Sequence, residues 1–233
     1  ASVLNLVKYA RQNARIVRTA LTRETWQAIN DFWLYLQKNL NRPAARNDLP
    51  IILAKVREGS SLVRGAIDGT MLRNDIYQFI RLGVFIERSD NTARHLSSRY
   101  NLFIPSENES VEGYPMLRFE MILDAVGVMR AYKWVNKGQI EPDRVIKFLL
   151  NDPTMPRSLI FCYHDIVRQL TALENEYGKT YEALNIAKKI QSDLAITLKE
   201  TLVHNDIINF TSSFIFENAQ LSKLVEKEFK FNP

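Results

Sequence analysis

Three charged residues, Glu87, Asp90 and Arg94, are spaced at i, i+3 and i+7 in the stretch "RLGVFIERSDNTARHL". On a helix, such residues can touch along one face. On a wheel of about 100° per residue, Ile76, Phe79, Ile80 and Gly83 occupy the same arc one to three turns earlier. The expected apolar face therefore turns charged without rotating. Arg81, Arg88, His95 and Arg99 fall on the opposite side and read as solvent-facing. Buried charges persist only when paired and hydrogen-bonded. One reading is a small polar pocket in which Glu87 and Asp90 acquire separated pKa values for acid–base work, with Gly83 admitting a ligand one turn away. The commoner reading is an interhelical ion network that fixes register.

A second set could face the first. Arg11, Arg15 and Arg18 stand at i, i+4 and i+7, with Asn13 on the other flank of the same apolar face. Three arginines can clamp a carboxylate or phosphate through bidentate contacts, although such a stripe is more often a solvated helix edge. If the two helices pack, Glu87 and Asp90 would neutralise these arginines. In "PTMPRSL", Arg157 and Ser158 follow Pro156 at an expected helix N-terminus, where free N–H groups favour anions. A proline-set helix start needs no ligand to explain it.

Other chemistries find little support. No Gly-rich phosphate loop is present. A di-metal bundle would repeat Glu-x-x-His on facing helices, whereas Glu200 and His204 are four apart and His95 and His164 are scattered. No cofactor and no metal site are expected. Cys162 lies among apolar neighbours and reads as a small buried hydrophobe rather than a nucleophile. Basic residues do not alternate with exposed aromatics, so nucleic-acid binding is not expected.

The elements that must carry these residues have helical period almost throughout. Val3, Leu6, Ala10, Ala14, Val17 and Leu21 form one face, and Thr22 can cap a second helix carrying Trp26, Ile29, Trp33, Leu36 and Leu40. Residues 41–50 read as a loop, 51–67 as a helix broken or kinked by "DGT" at 68–70, and the following residues as a long helix to about Tyr100. The polar connector 101–113 reads as a mobile loop. Helices are then expected over 115–136, from Pro142, from Pro156, over 180–203 and from Asp206 towards Phe229. No alternating strand pattern competes. The reading is an all-α bundle of seven to eight helices forming one domain over residues 1–233.

Composition agrees with an ordinary globular chain. Its 233 residues are 46% hydrophobic and 24% charged, ample for a real core. A net charge of +5 is only mildly basic and says little about partners. One cysteine excludes an internal disulfide and fits a reducing, cytoplasmic compartment. No apolar run approaches the roughly 18 residues of a membrane span. The chain starts at Ala1, already in an amphipathic pattern, so an upstream segment is expected to precede it.

At "LGVFIERSDNTARHLSSRY" (82–100) the chain resembles the bacterial alpha-E domain family. The resemblance extends through "ARQNARIVRTALTRETWQAIN" (10–30), "LDAVGVMRAYKW" (123–134) and "VIKFLLNDPTMPRSLIFC" (145–162), in order. Glu87, Arg88, Asp90, Thr92 and Arg94 match the family's motif, as do Asn13, Arg15, Arg18, Arg157 and Ser158. Val84 and Ser97 depart from it, standing where Arg and Asp are common. The resemblance implies an all-helical protein whose biochemical activity is not established. It also implies genes beside ATP-grasp ligase-like and transglutaminase-like ones, and an earlier helix with a second Glu-Arg motif that this chain lacks. Two functions follow as expectations, with a metal-binding bundle as a third that metal analysis of the purified protein would exclude. One is a non-catalytic accessory protein that binds an ATP-grasp ligase-like protein or its peptide product. The other is an enzyme acting on an amide or peptide, with Glu87 as acid–base group and arginines holding a carboxylate.

Overall fold

The computed structural model describes residues 2–40, 47–101, 114–196 and 204–231. Ten α-helices and one short 3-10 turn occur among them, with no strand. The chain divides into two compact units, Ala1–Tyr77 and Gln78–Pro233.

In the first unit, α1 (Val3–Ile16) starts at Ser2, whose hydroxyl accepts from the Asn5 N–H at 3.2 Å. It stops five residues before the expected end, because the β-branched pair Ile16-Val17 is poorly suited to continue a helix. Arg18–Ala20 form the 3-10 turn. Helix α2 (Arg23–Asn39) is capped by Thr22, as its sequence suggests, and packs against both α1 and α3 (Leu49–Thr70). "DGT" does not break α3. The Thr70 hydroxyl donates back to the Ala66 carbonyl at 2.7 Å, and the interruption falls at residues 71–74. The Asn74 side chain then accepts from the Tyr77 N–H at 3.4 Å, starting the next helix.

The second unit holds the main core. It comprises α4 (Asp75–Asn101, its first turn lying in the preceding unit), α5 (Tyr114–Val126), α6 (Met129–Val135), α7 (Pro142–Asn151), α8 (Leu159–Tyr177), α9 (Glu182–Ile196) and α10 (His204–Glu228). Helix α8 is buried along most of its length, from Leu159 through Tyr163, Ile166 and Leu170 to Leu173. It packs against α7 and α9, and α9 packs against α10.

The described helices exceed the expected seven to eight, partly because residues 115–136 are two helices rather than one. Gly127 adopts φ +75°, a left-handed conformation that stops α5 and lets the chain turn into α6. Gly178, at φ +62°, ends α8 in the same way, its N–H donating to the Glu174 carbonyl at 2.9 Å. Pro156 lies outside α8, whose N-cap is Ser158. The connector read as mobile and the end of the helix expected over 180–203 lie outside the described residues, at 102–113 and 197–203.

Candidate functional site

The buried face of α4 is Leu82, Phe85, Ser89, Thr92, Ala93 and Leu96. It is not the arc that runs from Ile76 through Gly83. Glu87 and Arg94 are exposed and Asp90 is half-buried, so the expected buried charge line faces outward. The reason lies in Ser89 and Thr92. Small hydroxyl residues are cheap to bury when their hydrogen bonds are made, yet polarity alone places them on the wet side of a wheel. Gly83 is exposed, and a side chain there would meet nothing within 4 Å, so no close approach depends on it. On the outward face, Arg94 Nε donates to Asp90 Oδ2 at 2.6 Å, which raises the Arg94 guanidinium pKa above its ordinary value. Glu87 accepts from the Asn91 amide at 3.1 Å.

Arg88, expected in solvent, instead reaches the turn before α8. Its guanidinium donates to the Pro156 carbonyl at 3.2 Å, and one turn later the Thr92 hydroxyl donates to the Arg157 carbonyl at 2.9 Å. Residues at i and i+4 of one helix thus hold consecutive carbonyls of a facing loop. Ser158 completes the joint. Its hydroxyl accepts from the Phe161 N–H at 3.1 Å and donates to the Asp152 carbonyl at 2.6 Å. The Arg157 side chain is exposed. The family-motif residues Arg88 and Thr92 therefore meet the "PRS" stretch through its backbone. Cys162 is fully buried one turn into α8, and desolvation pushes its thiol up to about 12, which suits an inert core residue.

Two polar clusters beside this joint escape a reading by sequence spacing. Asp165 is only 8% exposed, yet it is ion-paired with Arg81 at 3.6 Å and with Arg168, and it accepts from the Gln169 amide at 3.1 Å. The Arg81 and Arg88 guanidinium groups lie 4.6 and 4.7 Å from the centre of the buried Phe85 ring, within cation–π range. Deeper in, Asn218 of α10 joins three elements. Its carbonyl oxygen accepts from the Tyr163 hydroxyl at 2.9 Å and lies 3.2 Å from the Ser89 hydroxyl, while its amide donates to the Ile86 carbonyl at 3.1 Å. Burial pushes the Tyr163 phenol well above its ordinary pKa, and the nearby Glu217 adds to this. The Asp165–Arg168–Gln169 spacing and the Asn218 amide between Phe214 and Leu221 are the signals that could have flagged these clusters.

In the first unit, the arginine stripe is partly used at home. Arg11 Nε donates to Asn30 Oδ1 at 2.8 Å, and the Arg11 and Arg18 guanidinium groups lie 5.9 and 5.2 Å from the Trp26 ring centre. Arg18 lies beyond α1, in the 3-10 turn. Arg15 and Asn13 are exposed. Among the described residues, no group of His, Cys, Asp and Glu is arranged to hold a metal ion, and no helix is long and apolar enough to cross a membrane.

The family model called Alpha-E, described as a predicted alpha-helical domain with a conserved ER motif, matches residues 1–229. The chain contains one Glu-Arg dipeptide, Glu87-Arg88. No curated protein and no solved structure matches the chain.

Proposed function

The chain belongs to the Alpha-E family, and on that premise we propose that it is a non-catalytic helical accessory protein that binds an ATP-grasp ligase-like protein or that ligase's peptide product. The observation that carries this reading is the division of labour in the Glu-Arg motif. Arg88 is spent on the α4–α8 joint through the Pro156 carbonyl. Glu87 stands on the outer face of α4 with one local contact, to Asn91. A general acid needs a substrate held within hydrogen-bond reach, in a site that sets its pKa. An exposed carboxylate on a convex helix face lacks that enclosure, but it is well placed to meet a partner. The link to a ligase rests on the gene neighbourhood implied by the family resemblance, which is an associational warrant.

The test is calorimetric titration of the whole chain with a full-length ATP-grasp ligase-like protein, and with that ligase's purified peptide product. Saturable binding to either one, weakened by Glu87→Gln, is the expected result. No heat of binding to either at micromolar concentrations refutes the proposal.

A further inference from the structure

Helices α6 and α7 and the turn after α7 frame an open cleft of about 650 Å³ in the second unit. Its lining includes Val135, Lys137, Arg144, Lys147, Asn151 and Asp152, so three cations face one carboxylate. Arg144 is shared with Glu141, at 2.8 Å. Lys137 and Lys147 are exposed and make no ion pair among the described residues. Of the lining, Val135 is 53% exposed, and Trp134, the residue before it in α6, is 88% exposed. The two form an adjacent exposed apolar pair, and tryptophan is strongly enriched among residues that dominate binding.

We propose that this cleft docks an acidic segment of a partner polypeptide, with its carboxylates on Lys137 and Lys147 and an apolar side chain against Trp134 and Val135. The mixed lining favours a peptide over other anions. A peptide brings N–H donors as well as carboxylates, which suit the Asn151 amide oxygen and the second oxygen of Asp152, whose Oδ1 already accepts from the Thr154 N–H and hydroxyl at 2.8 and 2.6 Å. The Asn151 amide nitrogen is already committed to the Leu194 carbonyl at 2.6 Å. A phosphate backbone offers no donor to Asp152 and would be repelled by it. A bilayer is flat and would leave the concave wall uncovered. Separate ammonium groups on flexible stems also suit carboxylates spaced along a chain better than one compact dianion. This docking site does not depend on the ligase reading, because it is built from different residues on different helices.

The experiment uses the whole chain and a fluorescein-labelled octapeptide of alternating Glu and Leu, followed by fluorescence anisotropy. A Gln-for-Glu peptide, a single-stranded oligonucleotide and phosphatidylserine vesicles serve as competitors. The expected result is saturable binding that weakens with added salt and falls by at least about tenfold, or about 1.4 kcal/mol, in the double variant Lys137→Glu, Lys147→Glu. Tryptophan emission should shift on binding in wild type but not in Trp134→Phe. Both lysines are exposed and make no ion pair among the described residues, so the double variant should melt with wild type. If it does not, the pair Lys137→Gln, Lys147→Gln replaces it and must still weaken binding. Binding that survives loss of both lysine charges, tighter binding of the oligonucleotide or vesicles than of the peptide, or no peptide binding at millimolar concentration would each overturn the proposal.

Discussion

Glu87 and Arg88 are neighbours in one motif, and the structure assigns them opposite energetic weight. Replace Arg88 with Met, which keeps an apolar stem and removes the guanidinium. The lost hydrogen bond from a charged donor to the Pro156 carbonyl is worth about 1.5–3 kcal/mol in general. The low end applies here, because Pro156 is exposed and water can take over its carbonyl. Loss of the cation held 4.7 Å from the Phe85 ring centre adds about 0.5–1 kcal/mol at a partly exposed site. The total is about 2–2.5 kcal/mol. At roughly 2–4 °C per kcal/mol for chains of this size, the melting temperature should fall by about 4–10 °C. Glu87→Gln removes an exposed charge that makes one local contact, and should stay within about 0.5 kcal/mol, or about 2 °C. Thermal melts followed by circular dichroism, with both variants beside wild type, provide the assay. A Glu87→Gln drop as large as that of Arg88→Met would refute the reasoning, as would an Arg88→Met shift under about 1 °C.

Other consequences follow from the same geometry. Ser158→Ala deletes the α8 cap and the bond to the Asp152 carbonyl, a loss of about 2 kcal/mol; Ser158→Thr should recover most of it, and equal denaturant midpoints for Ala and wild type would count against the cap. A methyl on Gly59 would overlap the Phe32 ring, whereas one on Gly65 meets nothing. Gly59→Ala should therefore destabilise the first unit by about 1–3 kcal/mol, and Gly65→Ala should stabilise it by up to about 1 kcal/mol, a difference that chemical denaturation reads directly. Cys162 should resist a thiol reagent at pH 8 in the native protein and react at once in denaturant. Its thiol ionises in the folded state only near pH 12, against 9.0 ordinarily. The raised value favours the neutral form on folding, so the stability it lends is complete below about pH 9 and is lost as pH climbs towards about 12; a melting temperature flat across that window would contradict the burial.

Some of the site was legible before any coordinates, and some was not. Thr22 announces its helix because a hydroxyl capping a nearby N–H is a local event. The inertness of Cys162 follows from its apolar neighbours in sequence. Arg88, Thr92 and Ser158 could be matched to a family motif, but their partners are backbone carbonyls at residues 156, 157 and 152, and carbonyls leave no trace in residue identity. Asp165 and Asn218 are not legible in this way, because the partners that make their burial tolerable, Arg81 of α4 for the one and Tyr163 of α8 and the Ile86 carbonyl of α4 for the other, are close only in the folded chain.

The all-helical class, most helix positions and the family rest on period, caps and local motif, and all of these are written into residue identity. The orientation of α4 is not, because it depends on what packs against it. A helix presents several faces that could be buried, and hydropathy ranks them by counting Ser89 and Thr92 as polar. Once the turn before α8 and Asn218 of α10 supply hydrogen-bond partners, that face becomes the dry one, and Glu87, Asp90 and Arg94 are turned towards water. A helix's own residues set its amphipathicity. The elements that pack against it set the cost of burying each polar group, and therefore which face goes in.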